Sequence, residues 1–233
     1  MPLIEPFHLI HVYLNKSIPT VKRHKIILTI SLLAAVFAAK AQHAGYTPLA
    51  DLSKFKEQFT ATAQKTTSIK SDFVQEKNLS MLSEKITSKG KFWFKKDNMV
   101  RMEYTQPSKY LMIINKDNIL VKDEQKENKI NTKSNKLFQQ INKIIIDCVQ
   151  GSILSNPDFK VKVFENKGSY LVELSPLSKG IKGFFKSINI SVDKEDNSVS
   201  NIDMQEPSGD NTNIHFINKE INANLPDALF AAK

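Results

Sequence analysis

Residues 90–107 read GKFWFKKDNMVRMEYTQP. Two apolar-alternating runs, Lys91–Lys96 and Met99–Tyr104, flank a short polar turn at Asp97-Asn98. A period of two sets Phe92, Phe94 and Lys96 on one face of the first run, and Val100, Met102 and Tyr104 together on one face of the second. Paired as a hairpin, the runs present an apolar wall with a cation, Lys96, at its turn end. The other face carries Lys91, Lys95, Arg101 and Glu103, which suit water, with Trp93 as the exception. That pattern predicts an antiparallel sheet covered on one side only. What covers the wall is then the question on which function turns.

Outward from the hairpin the period keeps changing. Thr47 as N-cap and Pro48 at the first helical position open a predicted helix. Its apolar stripe is Leu49, Leu52, Phe55, Phe59 and Ala63, a packing face. Thr67–Lys77 alternates as a strand, and Asn78–Ser88 reads as a loop or short strand extension. After the hairpin come Tyr110–Ile114 and Ile119–Val121, turned by Asn115–Asn118, whose Asn and Asp residues tolerate positive φ. Asp123–Lys133 is charged and polar, and is expected to be a solvated loop. Ser134–Gln150 is a second helix: Leu137, Phe138, Ile141, Ile144, Ile145, Cys148 and Val149 follow a helical period, and Gly151 stops it. Strands are expected at Phe159–Glu165, Ser169–Leu174, Phe184–Val192, Val199–Glu206 and Thr212–Ile217, with a short helix over Leu225–Ala231. The sum is about nine to eleven strands and two sizeable helices, an α+β fold with helices gathered over one face of an antiparallel sheet.

The N-terminus carries an export signal by its pattern. Lys22-Arg23-His24-Lys25 is a basic region, Ile26–Ala38 is apolar and uncharged, and Ala39-Lys40-Ala41 fits a small-x-small cleavage site. Residues 1–41 are therefore expected to be a cleaved signal peptide, leaving 42–233 as one domain without a Gly/Ser-rich linker, in the periplasm. The chain's net charge of +9 falls by four on removal of Lys16, Lys22, Arg23, Lys25, Lys40 and Glu5, to +5. The remaining lysines are scattered, which argues against a nucleic-acid partner. The one cysteine, Cys148, excludes an internal disulfide, and no cysteine stands at the cleavage site to be lipidated. On the apolar side of its helix, Cys148 reads as a buried thiol.

Catalytic patterns are missing. Beyond residue 41 the histidines are His43 and His215, which make no zinc set and supply no base for a serine nucleophile. There is no G-x-S-x-G motif. The acidic clusters Asp123-Glu124 and Asp193, Glu195, Asp196 fall in predicted turns, where charge is ordinarily solvated. The sequence is not read as an enzyme and implies no cofactor and no metal.

With these residues in view, Gly90–Pro107 resembles a segment of the LolA family of periplasmic outer-membrane lipoprotein carriers. Gly90, Phe92, Phe94, Lys95-Lys96, Asn98, Arg101, Tyr104, Thr105 and Pro107 stand at the family's places, and the order of elements agrees over roughly Leu52 to Phe230. The resemblance implies a strongly curved, unclosed antiparallel half-barrel with helices as a lid over an apolar cavity. It implies acylated outer-membrane lipoproteins as cargo, an inner-membrane ABC exporter (LolCDE-like) as loader, an outer-membrane receptor (LolB-like) as an acceptor to be tested for, and a monomer. Departures are Lys96 where arginine is usual, Asp97 for proline and Met102 for an aromatic. Lysine lacks the guanidinium's planar fork, so directional bonds to lid carbonyls would differ.

On this reading the acyl-chain wall comprises Phe92, Phe94, Val100, Met102, Tyr104, Leu111 and Ile113, facing Phe138, Ile141 and Ile145 of the second helix. Lys96 is the rim cation or lid latch. Met81, Met102 and Met112 offer adaptable filling. Two alternatives share the fold: a regulatory domain of the anti-sigma regulator type that senses lipids or lipoproteins, and a carrier of free lipid.

Overall fold

The computed structural model of the chain describes residues 43–116, 118–131 and 136–231. The expected signal peptide and Ser134 and Asn135, the first two residues of the expected second helix, lie outside them. The unit that begins at Tyr46 carries all of the described regular elements.

These elements are β1 (Thr47–Pro48), α1 (Leu52–Lys65), β2 (Ser68–Leu79), β3 (Glu84–Lys95), β4 (Met99–Gln106) and β5 (Tyr110–Asn115). Then come β6 (Asn118–Lys122), β7 (Glu127–Asn131), α2 (Lys136–Gln150), β8 (Phe159–Glu165) and β9 (Ser169–Pro176). A four-residue helix α3 (Lys179–Lys182), β10 (Ser187–Asp193), β11 (Val199–Gln205) and β12 (Asn211–Ile221) complete the order, with 3-10 turns at Ser152–Ser155 and Asp227–Phe230. All twelve strands join one curved antiparallel sheet in the order β1-β8-β9-β10-β11-β12-β2-β3-β4-β5-β6-β7. β1 and β7 are its two edges, so the sheet is an unclosed arc.

The register bears out the alternation of the central hairpin. Phe92 lies opposite Met102 and Phe94 opposite Val100, while Trp93 lies opposite Arg101. The turn holds both Asp97 and Asn98 at positive φ (71° and 63°), a conformation these two residue types tolerate. Gly90 sits where the β3–β4 register slips, and a Cβ there would meet the Glu103 carbonyl oxygen at 2.2 Å and the Phe73 ring at 2.7 Å. Only glycine allows that ring to lie across the strand.

The inner face of the arc carries two packed clusters. One joins Phe55 and Phe59 of α1, Ile144 and Cys148 of α2, and the apolar residues of β8–β10. The other joins Phe73, Phe92, Phe94, Val100, Met102, Met112 and Ile114 on β2–β5, with Ile145 and Val149 of α2 resting on it. α2 therefore spans both, as its broad apolar stripe requires.

The expectation of one wet face fails on the outer side of β3–β6. There the C-terminal segment 223–230 crosses the sheet as a strap. Leu225 and Phe230 are buried against Ile113 and Leu120, with Trp93, Met99 and Leu111 packed around them. Lys95 donates to the Leu225 carbonyl at 2.7 Å and pairs with Asp227 at 2.5 Å. Arg101 donates to the Leu229 carbonyl at 3.1 Å and lies over the Trp93 ring, and Asn115 donates to the Phe230 carbonyl at 3.2 Å. Trp93, the exception on the polar face, is thus a strap contact.

Two further expectations are corrected, and one left open is decided. Thr47–Pro48 pairs with β8 rather than opening a helix, and α1 begins at Leu52 under Asp51, whose carboxylate accepts from the Ser53 N–H at 2.8 Å. Asp123–Lys133 contains strand β7, paired with β6 from Lys122↔Glu127 to Asn118↔Asn131. Its polarity is that of an exposed edge, where charge guards against pairing with other chains. Of the two readings of Asn78–Ser88, strand extension is the one found, since β2 and β3 pair out to Leu79↔Glu84.

Candidate functional site

Between the two clusters lies a cavity of about 370 Å³, floored by the inner sheet face and roofed by α1 and α2. Phe92, Met102 and Met112 reach it from β3–β5, and Ile202, Met204, Ile214 and Phe216 from β11–β12. Phe59 and Ala63 of α1 and Ile141, Ile145 and Val149 of α2 close it from above. Methionine and isoleucine ends dominate, so the interior offers hydrocarbon contact and almost no hydrogen-bonding demand.

Two local devices set the roof. Gly151 ends α2 at φ 73°, and a Cβ there would lie 3.0 Å from both Ala63 Cβ and Thr60 Cα. The left-handed C-terminal glycine thus lets α2 come to rest directly on α1. Lys96, at the end of the hairpin, donates from Nζ to the Gln64 carbonyl in the last turn of α1 at 2.7 Å. A cation on an orphan C-terminal carbonyl is favoured by hydrogen bond and helix dipole together. The Lys96 contact is therefore to the first helix, and not to the 134–150 helix. The described side-chain bonds of α2 run to the segment just beyond it: Lys143 to Asp158, and Asp147 to Ser152 and Asn156.

The rim is polar at one end. A register shift in β12 between Ile217 and Glu220 brings Lys219 to the cavity edge, where Nζ donates to Asp193 at 2.7 Å and Ser198 at 2.5 Å. Burial pushes the neighbouring Asp196 carboxyl up, but the Ser198 hydrogen bonds and the Lys219 charge outweigh it and hold it below its ordinary range. Cys148 lines the roof, and burial, with Asp147 adding, pushes its thiol far up, which keeps it protonated and unreactive.

Of the residues expected on the wall, Phe92, Met102, Ile141 and Ile145 line the cavity. Phe94 and Val100 share the inner face but are buried in the cluster beneath it. Tyr104 lies further along that cluster, its ring edge-on to Phe73 and Tyr110, its hydroxyl donating to Gln75 Oε1 at 2.9 Å. Burial, with Tyr110 adding, pushes its phenol up to about 12. Leu111 and Ile113 are not on this face: they point to the strap. The run Leu111–Ile114 is apolar on both faces, so its composition carries no alternation from which to read the phase. The side chain of Phe138 lies outside the described residues. Met81 is removed from the wall altogether, since it stands 91% exposed at the tip of the β2–β3 hairpin.

The second wall of the cavity is absent from the expected set. Ile202, Met204, Ile214 and Phe216 alternate on β11 and β12, a signal present in the sequence. Nothing local says that these strands curl round to face β3 and β4, because that depends on β12 pairing with β2 across the chain.

Among curated proteins none matches by sequence. The LolA superfamily protein from Nitrosomonas europaea is 8% identical, with a TM-score of 0.42, over 78% of this chain and 98% of that one. A DUF1329 family protein from Desulfovibrio piger gives 15%, 0.45, 78% and 97% in the same measures. The MucA/MucB complex of Pseudomonas aeruginosa gives 12% and 0.45, over 79% of this chain and 62% of that one. The family model described as outer membrane lipoprotein carrier protein LolA matches residues 64–233. That match runs from the last turn of α1 through α2 and β2–β12 to the strap, and by it the chain belongs to the LolA family.

Proposed function

We propose that this protein is a periplasmic carrier which, after loss of residues 1–41, holds the acyl chains of lipoproteins in its apolar cavity and passes them from the inner to the outer membrane. The observation that carries this reading is the space of about 370 Å³ between a hydrocarbon-lined sheet and two helices. Phe92, Met102, Ile141 and Ile145 are its proposed acyl contacts and Lys96 its rim cation. The chemistry is binding and release, with no covalent step. An ABC exporter of the LolCDE type would load it at the inner membrane.

Magnitudes support a carrier that must open. Burying hydrocarbon is worth ~0.8 kcal/mol per methylene, so one chain of about fifteen could gain on the order of 12 kcal/mol. Several such chains together would exceed any useful carrier affinity, since binding that tight forbids release. The resting cavity stands near the lower bound of ligand pockets, ~300 Å³. A cargo with more than one chain must therefore lift the helices, and the cost of exposing the Ile and Phe stripes offsets part of the gain.

The test is to purify the protein from periplasm, identify bound species by mass spectrometry, and follow outer-membrane lipoproteins after depletion. Acylated cargo and lipoproteins stranded at the inner membrane are expected. Lipoproteins that reach the outer membrane normally while a stress response changes would instead mark a sensor.

A further inference from the structure

On its β4 side the β2–β3 hairpin outruns its neighbour, while β12 accompanies β2 as far as Asn211↔Asn78. Pairing of β3 with β4 stops at Lys89↔Gln106, whereas β2 and β3 continue together to Leu79↔Glu84. At the tip stand Met81 and Leu82, 91% and 68% exposed, the two most exposed large hydrophobic side chains among the described residues. Single exposed apolar residues are ordinary, but an adjacent pair at the turn of a hairpin is not.

The tip is held, not loose. Asp210 in the β11–β12 turn accepts from the Ser80 backbone N–H at 2.9 Å and from its hydroxyl at 3.0 Å. The Leu82 N–H donates to the Leu79 carbonyl at 3.2 Å, and Ser83 takes a positive φ of 51° to close the turn. Those bonds fix the backbone on both sides of the exposed pair. The two cations nearest the tip are matched: Lys85 pairs with Glu76 at 2.8 Å, and Lys77 with Glu206 at 3.6 Å.

We infer that this tip is a membrane-contact element, in which Met81 and Leu82 insert into the interfacial layer of a lipid bilayer. Size favours a bilayer over a protein partner. Two side chains at a hairpin turn fall far short of the ~800 Å² per partner that a specific protein interface buries. A bilayer interface has no such minimum, and accepts each apolar side chain separately. The matched charges around the tip leave the contact to hydrocarbon, so it does not depend on anionic lipid. Binding by two side chains is weak and reversible, and leaves the protein free to depart. This inference goes beyond the carrier reading and stands whatever the cavity holds.

Flotation of the purified protein with phosphatidylcholine vesicles, with and without phosphatidylglycerol and at low and high salt, tests it. Association with both vesicle types, little changed by salt, is expected. The double substitution Met81→Ser/Leu82→Ser should lower the partition coefficient by at least about tenfold while the unfolding midpoint holds. A fluorophore sensitive to its surroundings, attached in Leu82→Cys, should shift to the blue on vesicles. The same label in Leu177→Cys, also exposed, should not; Cys148 is buried and stays unlabelled. Equal binding by the double variant, binding confined to anionic vesicles and abolished by salt, or an unshifted Leu82 label each overturns the inference.

Discussion

The two faces of the β3–β4 hairpin are built from alternate residues of the same strands, yet they are covered in different ways. On the outer face Lys95, Arg101 and Asn115 donate to strap carbonyls, and Phe230 is wholly buried beneath them. On the inner face Phe92 and Met102 look into a cavity roofed by α1 and α2, with Lys96 tying the end of α1 to the hairpin. Directed bonds to backbone fix one cover in place. Apolar contact, which has no preferred direction, makes the other cover one that can shift without leaving polar groups stranded.

If the faces differ in this way, substitutions should sort by face. Phe230→Ala is expected to have the largest effect, a loss of ~3–5 kcal/mol in urea unfolding, because a fully buried ring leaves a void under a fixed strap. A loss below ~1 kcal/mol would erase the distinction. Next is the pH response of Tyr104, whose folded pKa is raised. Its contribution is fully present below the unfolded value of about 10 and is lost as pH rises toward 12, on the order of 2–3 kcal/mol. Tyr104→Phe should flatten that part of the stability–pH curve, and an unchanged slope would assign the loss elsewhere. Arg101→Ala removes the bond to Leu229 and the cover on Trp93, for ~1–3 kcal/mol by thermal unfolding, and Arg101→Lys should restore little of it.

The inner face should respond in binding more than in stability. Met102→Trp is expected to fill the cavity, weakening a fluorescent fatty-acyl probe by about tenfold or more, with stability changed by less than ~1.5 kcal/mol. Undiminished probe binding would place hydrocarbon somewhere other than this cavity. Lys96→Leu should have the smallest effect on folding, below ~1 kcal/mol for an exposed lysine. Cargo transfer between donor and acceptor membranes should nevertheless slow, because the end of α1 is no longer tied to the hairpin. Transfer at the normal rate would retire the latch.

Most of the strand pattern was legible because alternation is a local property. β8 appears with the bounds expected, Phe159–Glu165, and α2 with its isoleucine stripe facing the sheet. The outer strap was not legible. Leu225–Ala231 reads as a short helix, and nothing in it says which distant surface its carbonyls will meet; Trp93 alone among polar neighbours was the trace it left. Leu111 and Ile113 were misassigned because a strand buried on both faces carries no alternation. The edge strand β7 was hidden by the charge that an edge needs. The cavity's far wall on β11 and β12 depends on long-range pairing, which no window of sequence contains.

The open order of strands has one further consequence. A closed barrel's girth is set by its strand number and stagger, and to widen it hydrogen bonds must break. This sheet ends at β1 and β7, which are not joined to each other. Closure therefore does not set its bore, and the two edges can draw apart with every rung of the ladder intact.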